Sequence, residues 1–351
     1  MLTYVLFFTV ICFGAVFSKK NADKMYITLC ILSLWLLIGL RDMSVGADTS
    51  GYIEEFGFIA RLDFSGMWLQ TIEYKDPLYI LISWFISRVT TNYTIYLLIW
   101  ALFPAISLYI TFKNVLKKDK TDCLISILVF FLLGFFAFYV AGIRQTAALS
   151  IILLSYKSIQ QKKIIPFLLY VFVASLLHNS AVIFIIAFPL CFVKLRWWYI
   201  LILAALLYMV SMVALDNVFV LAQYFYGDRF DSYQQGYEST QSSSALIMQI
   251  ILFAICFFKY KPLIEREPVN SALLIFSFIG ICIQSMAGML AEMSRISFYF
   301  CIFDLILVPR SLNEYGGKKY NSLIVTAFSI VAMVYLFFLT SANLPNYRIA
   351  F

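Results

Sequence analysis

Long apolar stretches, separated by short polar segments, follow one another along almost the whole chain. A helix that crosses a bilayer needs about 20 mostly apolar residues, because lipid offers the backbone no hydrogen-bond partner. The pattern therefore predicts an all-α polytopic membrane protein with about twelve transmembrane helices. The predicted spans are 1–18, 25–40, 92–112, 122–142, 145–159, 164–178, 179–193, 197–215, 245–258, 268–288, 296–309 and 320–340.

Two segments between the predicted spans, 41–91 and 216–244, are long for connections in a helix bundle. From Tyr52 to Ile72, apolar residues recur at roughly helical spacing between charged ones, which is typical of a helix lying in the membrane interface. The apolar stretch Pro77–Val89 is too short to span comfortably. We expect it to be re-entrant or interfacial.

The composition excludes a soluble globular protein, because 63% of the residues are hydrophobic and only 13% are charged. Of the 26 Lys and Arg residues, 18 fall on one side of the predicted spans, whereas acidic residues favour the other side. By the positive-inside rule the Lys-rich side is cytoplasmic, so both termini and the two long segments face outward. The net charge of +7 thus reflects topology and predicts no nucleic-acid partner. Residues 1–351 are expected to form a single transmembrane domain.

The seven cysteines all lie in apolar runs, without a Cys-x-x-Cys pair. Such placement predicts neither a disulfide framework nor a metal site. An Asp-x-Asp motif, which would hold a divalent metal against a sugar nucleotide, does not occur either. We therefore expect no metal and no cofactor.

Polar and ionisable residues are costly near membrane helices, and four groups of them lie at predicted outer helix ends. They are the run Arg41–Tyr52, the cluster Gly142–Thr146, the only histidine, His178, and the pair Glu292 and Arg295. Each group also has a plainer explanation. Arginines at helix ends often snorkel to the interface, a lone histidine is often structural, and charges three residues apart pair on a helix surface.

Convergence favours a functional interpretation. Arg41, Asp48, Arg144, His178 and Arg295 are far apart in sequence, yet all are predicted at the outer ends of helices, so one outward-facing cavity would collect them. Arginine offers a planar fork of donors that suits diphosphate oxygens. Three arginines in a membrane cavity indicate a highly charged anion carried by a lipid, and a polyprenyl diphosphate fits both conditions.

Short motifs occur along the chain in a characteristic order. They are Arg41-x4-Gly46-x-Asp48-Thr49-x2-Tyr52-x3-Phe56, Asp76-Pro77-Leu78-Tyr79, Thr91-Asn92-Tyr93, Ile143-Arg144-Gln145-Thr146-Ala147, His178-Asn179-Ser180-Ala181, Arg295-Ile296-Ser297-Phe298-Tyr299-Phe300 and Leu344-Pro345-Asn346-Tyr347. In this order they resemble the EpsG family of polysaccharide-polymerising membrane proteins, related in role to the O-antigen polymerase Wzy. The family often has Glu-Pro-Gly-Tyr where this chain has Asp76-Pro77-Leu78-Tyr79, which keeps the acid and the aromatic residue.

The resemblance implies a GT-C-like glycosyltransferase in the bacterial cytoplasmic membrane, with its active site facing the periplasm or exterior. It would move a growing glycan from undecaprenyl diphosphate onto an incoming lipid-linked repeat unit, so that such glycans are both donor and acceptor. The product would be O-antigen, capsule or exopolysaccharide. Membrane lipid surrounds the protein, and a chain-length regulator is a partner expected by family analogy.

This chemistry suggests a role for each candidate residue. The departing diphosphate must be stabilised without a metal, and Arg144 and Arg295, with Arg41, are predicted to bind it. The acceptor hydroxyl must lose its proton, for which Asp48 is the first choice and His178 the second. The remaining candidates are predicted to orient sugars or phosphates, and they are Thr49, Tyr52, Gln145 and Glu292.

Three other functions share part of this pattern. A flippase or transporter of lipid-linked sugars would also place charges in a membrane cavity, although internal repeats, common in such folds, are not evident here. A sugar O-acyltransferase would explain the single His178 but not three outward arginines. An O-antigen ligase uses the same donor and chemistry, and only the family motifs favour a polymerase over it.

Overall fold

The apolar stretches form helices in the computed structural model, which describes residues 2–17, 23–74, 76–116, 120–199, 240–287, 292–339 and 346–350. Within these ranges the chain is helical, and extended backbone pairs only at an isolated bridge between Arg41 and Ile349. The helices are α1 (Leu2–Phe17), α2 (Asp23–Gly39), α3 (Thr49–Ile59), α4 (Phe64–Glu73), α5 (Pro77–Val89), α6 (Tyr93–Trp100), α7 (Leu102–Asn114), α8 (Lys120–Leu132), α9 (Phe135–Ala141), α10 (Ile143–Leu154), α11 (Tyr156–Gln161), α12 (Ile164–Leu177), a 3₁₀ helix (Asn179–Ile186), α13 (Ala187–Leu190), α14 (Thr240–Phe258), α15 (Tyr260–Arg266), α16 (Asn270–Ser285), α17 (Glu292–Cys301), α18 (Asp304–Val334) and a π-helical turn (Tyr335–Leu339).

The core is built around two helices, α8 and α10, that are buried along most of their length. All residues from Cys123 to Leu132 of α8 are buried, and α8 packs along α18. Helix α10 is buried along most of its length between α7 and α12. A helix without a polar face has to be enclosed by other helices or by lipid, and from Cys123 onward α8 is enclosed by its neighbours. By contrast, α12 leaves Ile165, Leu169 and Phe172 exposed, as expected of a helix that faces lipid.

A glycine divides the predicted span 122–142. Gly134 has a φ of 77°, which side chains with a Cβ rarely adopt, and it separates α8 from α9. The two helices meet at a bend of 65°. The bend directs α9 so that its end, at Gly142, leads into α10 and the polar cluster Gly142–Thr146.

The long segment 41–91 is mostly helical. The sequence predicted one interfacial helix from Tyr52 to Ile72, which is wrong, because α3 ends at Ile59 and α4 begins at Phe64. Asp63 starts the second helix by accepting a hydrogen bond from the Gly66 backbone N–H, a cap that competes with helix continuation. The predicted short apolar segment forms helix α5 with the expected bounds.

A continuous helix, not a turn, connects the last two predicted spans, 296–309 and 320–340. The sequence predicted a cytoplasmic turn between them, but α18 continues from Asp304 to Val334 through the polar stretch 310–319. That stretch contains no proline, and its Arg, Leu, Glu and Lys residues favour helix, so the backbone hydrogen bonding continues despite two glycines.

Judged by helix length and composition, the described residues contain fewer membrane spans than the predicted twelve. Among the described residues, Tyr93–Asn114 is the one helical stretch long and apolar enough to cross a membrane, and three sharply bent helix pairs raise the number to four if each pair is one span. The twelve-span count is therefore not confirmed. Most of the predicted span 197–215 and of the loop 216–244 lies outside the described residues.

Candidate functional site

A buried carboxylate joins three distant parts of the chain. Asp76 is only 3% exposed, and its Oδ2 lies 3.2 Å from Arg144 Nη1 and 3.2 Å from His178 Nδ1. Its Oδ1 accepts a hydrogen bond of 2.9 Å from the backbone N–H of Asn179. The structure thus brings together two predicted site residues, Arg144 and His178, through a third that was not predicted. We call Asp76, Arg144 and His178 the buried triad.

Local backbone features place each member of the buried triad at a helix end. Asp76 precedes Pro77, whose missing N–H and fixed φ suit the first position of α5. Gly142 separates α9 from α10, so Arg144 falls in the first turn of α10. At the end of α12, His178 has extended backbone angles and directs its ring back toward Asp76.

Tyrosines surround the guanidinium of Arg144. Its carbon lies 5.2–5.4 Å from the ring centres of Tyr52, Tyr74 and Tyr79, which is the range of cation–π contact. Arg144 donates hydrogen bonds to the hydroxyls of Tyr74 (2.6 Å) and Tyr52 (3.4 Å). Glu55 in turn accepts from Tyr74 (2.6 Å) and Tyr79 (2.9 Å). This tyrosine shell fixes the direction of the arginine fork, and of its three rings only that of Tyr74 is partly exposed.

The protonation of Asp76 follows from its partners. Burial alone would raise its pKa, but the hydrogen bond and charge of His178, the Asn179 N–H and the charge of Arg144 together lower the pKa below the ordinary value. The carboxylate is therefore ionised and only accepts hydrogen bonds, so the hydrogen bond between them runs from His178 Nδ1–H to Asp76 Oδ2. A neutral His178 then has its lone pair on Nε2.

A second group of predicted residues forms a looser cluster. Arg295 Nη2 lies 3.6 Å from Asp48 Oδ2, and Arg295 Nη1 lies 3.6 Å from Glu292 Oε1. Their side chains are 36–43% exposed, so water screens these attractions. We call Asp48, Glu292 and Arg295 the exposed cluster. It offers a guanidinium whose present partners are easily exchanged for a ligand.

The exposed cluster and the buried triad are structurally connected. Gln145, next to Arg144 in α10, donates a hydrogen bond of 3.0 Å from its side chain to the backbone carbonyl of Arg295. Ser180, two residues after His178, hydrogen-bonds Tyr299 of α17 at 3.1 Å. Gln145 is thus already engaged in holding α17 against α10, and its predicted contact with substrate stays a prediction.

Two predicted ligand residues are buried elsewhere. Arg41 is 1% exposed and donates to the Ile38 carbonyl (2.6 Å) and to Thr49 Oγ1 (3.3 Å). The Thr49 hydroxyl lies 2.7 Å and 2.9 Å from the carbonyl oxygens of Val45 and Val140. In this conformation neither side chain is accessible to a diphosphate or a sugar. The structure therefore does not place Arg41 and Thr49 with the other candidates.

Gly46 explains why this loop lies so close to α9. Its φ of 91° favours glycine, and a Cβ at this position would overlap the carbonyl of Val140. The C-terminal segment covers the same loop, since the Asp42 N–H donates to the Arg348 carbonyl and the Ala350 N–H to the Leu40 carbonyl. Arg41 and Thr49 thus hold the loop that presents Asp48.

Comparison with known proteins identifies the family. A model described as the EpsG family matches residues 24–349, nearly the whole chain. The chain belongs to the EpsG family. Members are Wzy-like polysaccharide polymerases, so a polymerase-type activity in polysaccharide biosynthesis, on lipid-linked glycans at a membrane, is assigned. No curated protein and no solved structure matches the sequence.

Membership in the EpsG family confirms the resemblance. Several residues that the structure brings into the site had no role in the sequence-based prediction. Asp76 and Tyr79 belong to one of the family motifs, and Glu55 is one of the charged residues in the predicted interfacial helix. The sequence does contain a pattern that could have indicated Asp76, because this acid directly precedes Pro77, which begins helix α5. Tyr74 carried no signal, because its contact with Arg144 depends on how α4 and α5 pack.

Proposed function

We propose that this protein transfers a growing glycan from undecaprenyl diphosphate onto the end of an incoming lipid-linked repeat unit, at the outer face of the cytoplasmic membrane. The observation that supports this most is the buried triad. One ionised carboxylate holds a guanidinium and an imidazole side by side, which supplies a group for the leaving diphosphate and a group for the acceptor proton.

The proposed step forms one bond and breaks one bond. An acceptor hydroxyl oxygen attacks the anomeric carbon of the donor glycan, and the bond between that carbon and the diphosphate oxygen breaks. The hydroxyl proton moves to His178 Nε2, and undecaprenyl diphosphate leaves with the bonding electrons. Asp76 stabilises the imidazolium that results, as an acidic partner does for a catalytic histidine.

His178 takes first place as the general base, ahead of Asp48. The ring of His178 is oriented by Asp76, whereas Asp48 is 43% exposed and faces Arg295. A base must be within hydrogen-bond reach of its proton, and an oriented ring meets this requirement better than an exposed carboxylate that faces an arginine. Asp48 remains the alternative, and the kcat of Asp48→Asn distinguishes the two candidates.

Two arginines are proposed to stabilise the diphosphate. Arg144 is fixed by Asp76 and the tyrosine shell, so it needs little reorganisation as charge develops on the leaving oxygen. Arg295 exchanges its weak contacts with Asp48 and Glu292 for a phosphate oxygen. In this conformation Tyr52 and Tyr79 are 8% and 0% exposed, so their rings hold the Arg144 guanidinium in place.

The placement of basic residues supports the outer face. Arg144 is at the first turn of α10, while Lys157 and Lys162 follow the other end of that helix, and Lys113 ends α7. Lysines concentrate on the cytoplasmic side of membrane proteins. We include this orientation in the proposal. The proposal also includes a GT-C-like arrangement of the helices and a chain-length regulator as a partner.

The test uses purified protein and the lipid-linked repeat unit extracted from a strain that lacks this gene. Native chain is expected to give polymer ladders on a glycan gel, and Arg144→Ala and His178→Gln are expected to abolish them. Arg266→Ala is the matched control, because Arg266 pairs with Glu314 away from the site. Translocation of the lipid-linked sugar in vesicles without any ladder would establish a flippase instead.

A further inference from the structure

A polar cavity lies at the other end of the helices that carry the site. It has a volume of ≈ 780 Å³ and lies between the ends of α7, α10 and α11, the side of α12, and the residues around Glu267 and Arg310. Leu154 lines the cavity at one end of α10, and Arg144 of the buried triad lies at the other end. At the rise of an α-helix, the two residues are about 15 Å apart along the helix. The polymerase chemistry proposed above does not use this cavity.

The side chains that line the cavity carry more positive than negative charge. Arg310 is neutralised by Glu267 at 2.9 Å and donates to Asn270 at 2.9 Å. Lys113 and Lys157 also line the cavity, are exposed, and form no ion pair with any residue that the structure describes. The lining therefore carries two uncompensated positive charges, on two different helices.

The floor of the cavity carries a polar atom that lacks a good partner. Tyr156 is 3% exposed, and its hydroxyl makes no hydrogen bond of normal geometry within the described part of the chain, although Arg310 lies over its ring. A buried hydroxyl without a partner costs about 1–3 kcal/mol, so such groups usually meet water or a ligand. Tyr156 faces the same cavity as the two lysines.

The wall above the cavity is apolar. Ile110 and Tyr170 line the cavity from α7 and α12. One turn farther from the Lys-rich end, on the same helix faces, Ile106 and Val173 are exposed. An anion that binds here therefore has an apolar groove beside it, of the kind that accommodates acyl chains.

We propose that this cavity binds an anionic phospholipid, with its phosphate between Lys113, Lys157 and the Tyr156 hydroxyl and its acyl chains along α7 and α12. Basic pockets between membrane helices on the cytoplasmic side are suited to anionic lipid headgroups. A free phosphate shares the headgroup chemistry but makes no use of the apolar groove.

The test measures binding to the full-length protein in a neutral detergent by native mass spectrometry. The probes are dioctanoyl phosphatidylglycerol, dioctanoyl phosphatidylcholine and inorganic phosphate. Phosphatidylglycerol is expected to bind at least tenfold more tightly than either of the others. Equal binding of phosphatidylcholine would overturn the requirement for charge, and equal binding of inorganic phosphate would overturn the lipid assignment.

Variants with matched charge complete the test. Lys113→Gln with Lys157→Gln is expected to weaken phosphatidylglycerol binding about tenfold, whereas Lys24→Gln with Lys194→Gln, which removes the same charge outside the cavity, is expected to change it less than twofold. Tyr156→Phe should weaken binding a few-fold without lowering the melting temperature of the lipid-free protein. If both double lysine variants lost phosphatidylglycerol binding equally, the lipid would be attracted by the overall charge of the protein, which would contradict the proposal.

Discussion

The buried triad and the exposed cluster each pair an arginine with an acid, but they are built for different tasks. Arg144 is held by Asp76 at 3.2 Å and by tyrosine hydroxyls and rings, and the side chains of Arg144 and Asp76 are 24% and 4% exposed. Arg295 faces Asp48 and Glu292 at 3.6 Å in a site open to water. A fixed guanidinium stabilises charge without reorganising, whereas a loosely held one captures a mobile ligand.

The largest expected effect comes from Asp76→Asn. The amide can no longer neutralise Arg144 or stabilise a protonated His178, so the polymerisation rate is expected to fall about 100-fold or more. The measurement is the initial rate of ladder formation. Asp63→Asn is the control, since asparagine also caps helices well and Asp63 lies outside the site. A native rate in Asp76→Asn would remove the buried triad from the mechanism.

Arg144→Lys is expected to lower kcat by about 30-fold. Lysine keeps the charge but loses the planar fork that reaches Asp76, Tyr74 and Tyr52 together. The kinetics of ladder formation at saturating substrate measure the loss, with Arg266→Lys as the control. Equal activity of the lysine variant would mean that a point charge suffices and that the tyrosine shell has no catalytic role.

Arg295→Lys and Asp48→Asn are expected to change the rate by about fivefold, chiefly through KM. Their contacts are exposed and screened, so the difference from the native chain should shrink as salt is raised from 50 to about 500 mM. Substrate titrations at the two salt concentrations test this expectation. A 100-fold fall in kcat for Asp48→Asn would make Asp48 the general base and contradict the role proposed for His178.

The smallest expected effect is on stability as a function of pH. The pKa of Asp76 is lowered in the folded protein, so its contribution to stability is fully present above its unfolded pKa of about 3.9 and is lost as pH falls toward the folded value. The difference in melting temperature between native chain and Asp76→Asn is expected not to shrink from pH 8 to about pH 5. A difference that shrinks between pH 7 and pH 5 would show that the Asp76 pKa is raised.

The sequence predicted the helical membrane fold, the family and several of the residues that meet at the site. Polar groups at the ends of apolar helices are conspicuous, which is why Arg144 and His178 were identified, as were Asp48 and Arg295. Burial of an individual arginine depends on packing, so the sequence did not distinguish the enclosed Arg41 from the exposed Arg295.

The partners of these residues were harder to predict. Asp76 and Glu55 meet Arg144 and the tyrosines only because α3, α4 and α5 fold back over the start of α10. Hydropathy also predicted a turn near 310–319 where backbone hydrogen bonding continues through α18. Apolar patterning fixes which segments avoid water, but not whether a polar stretch between them ends the helix.

The central claim is that Asp76, Arg144 and His178 act as one unit, and a double-mutant cycle tests it most directly. The measured quantity is kcat/KM for polymerisation by Asp76→Asn, by His178→Gln and by the double variant, each checked for a native melting profile. Because residues that act as a unit show strongly non-additive losses, the double variant is expected to be about as inactive as the worse single variant. Losses that multiply would mean that the two residues act independently, and would contradict the account.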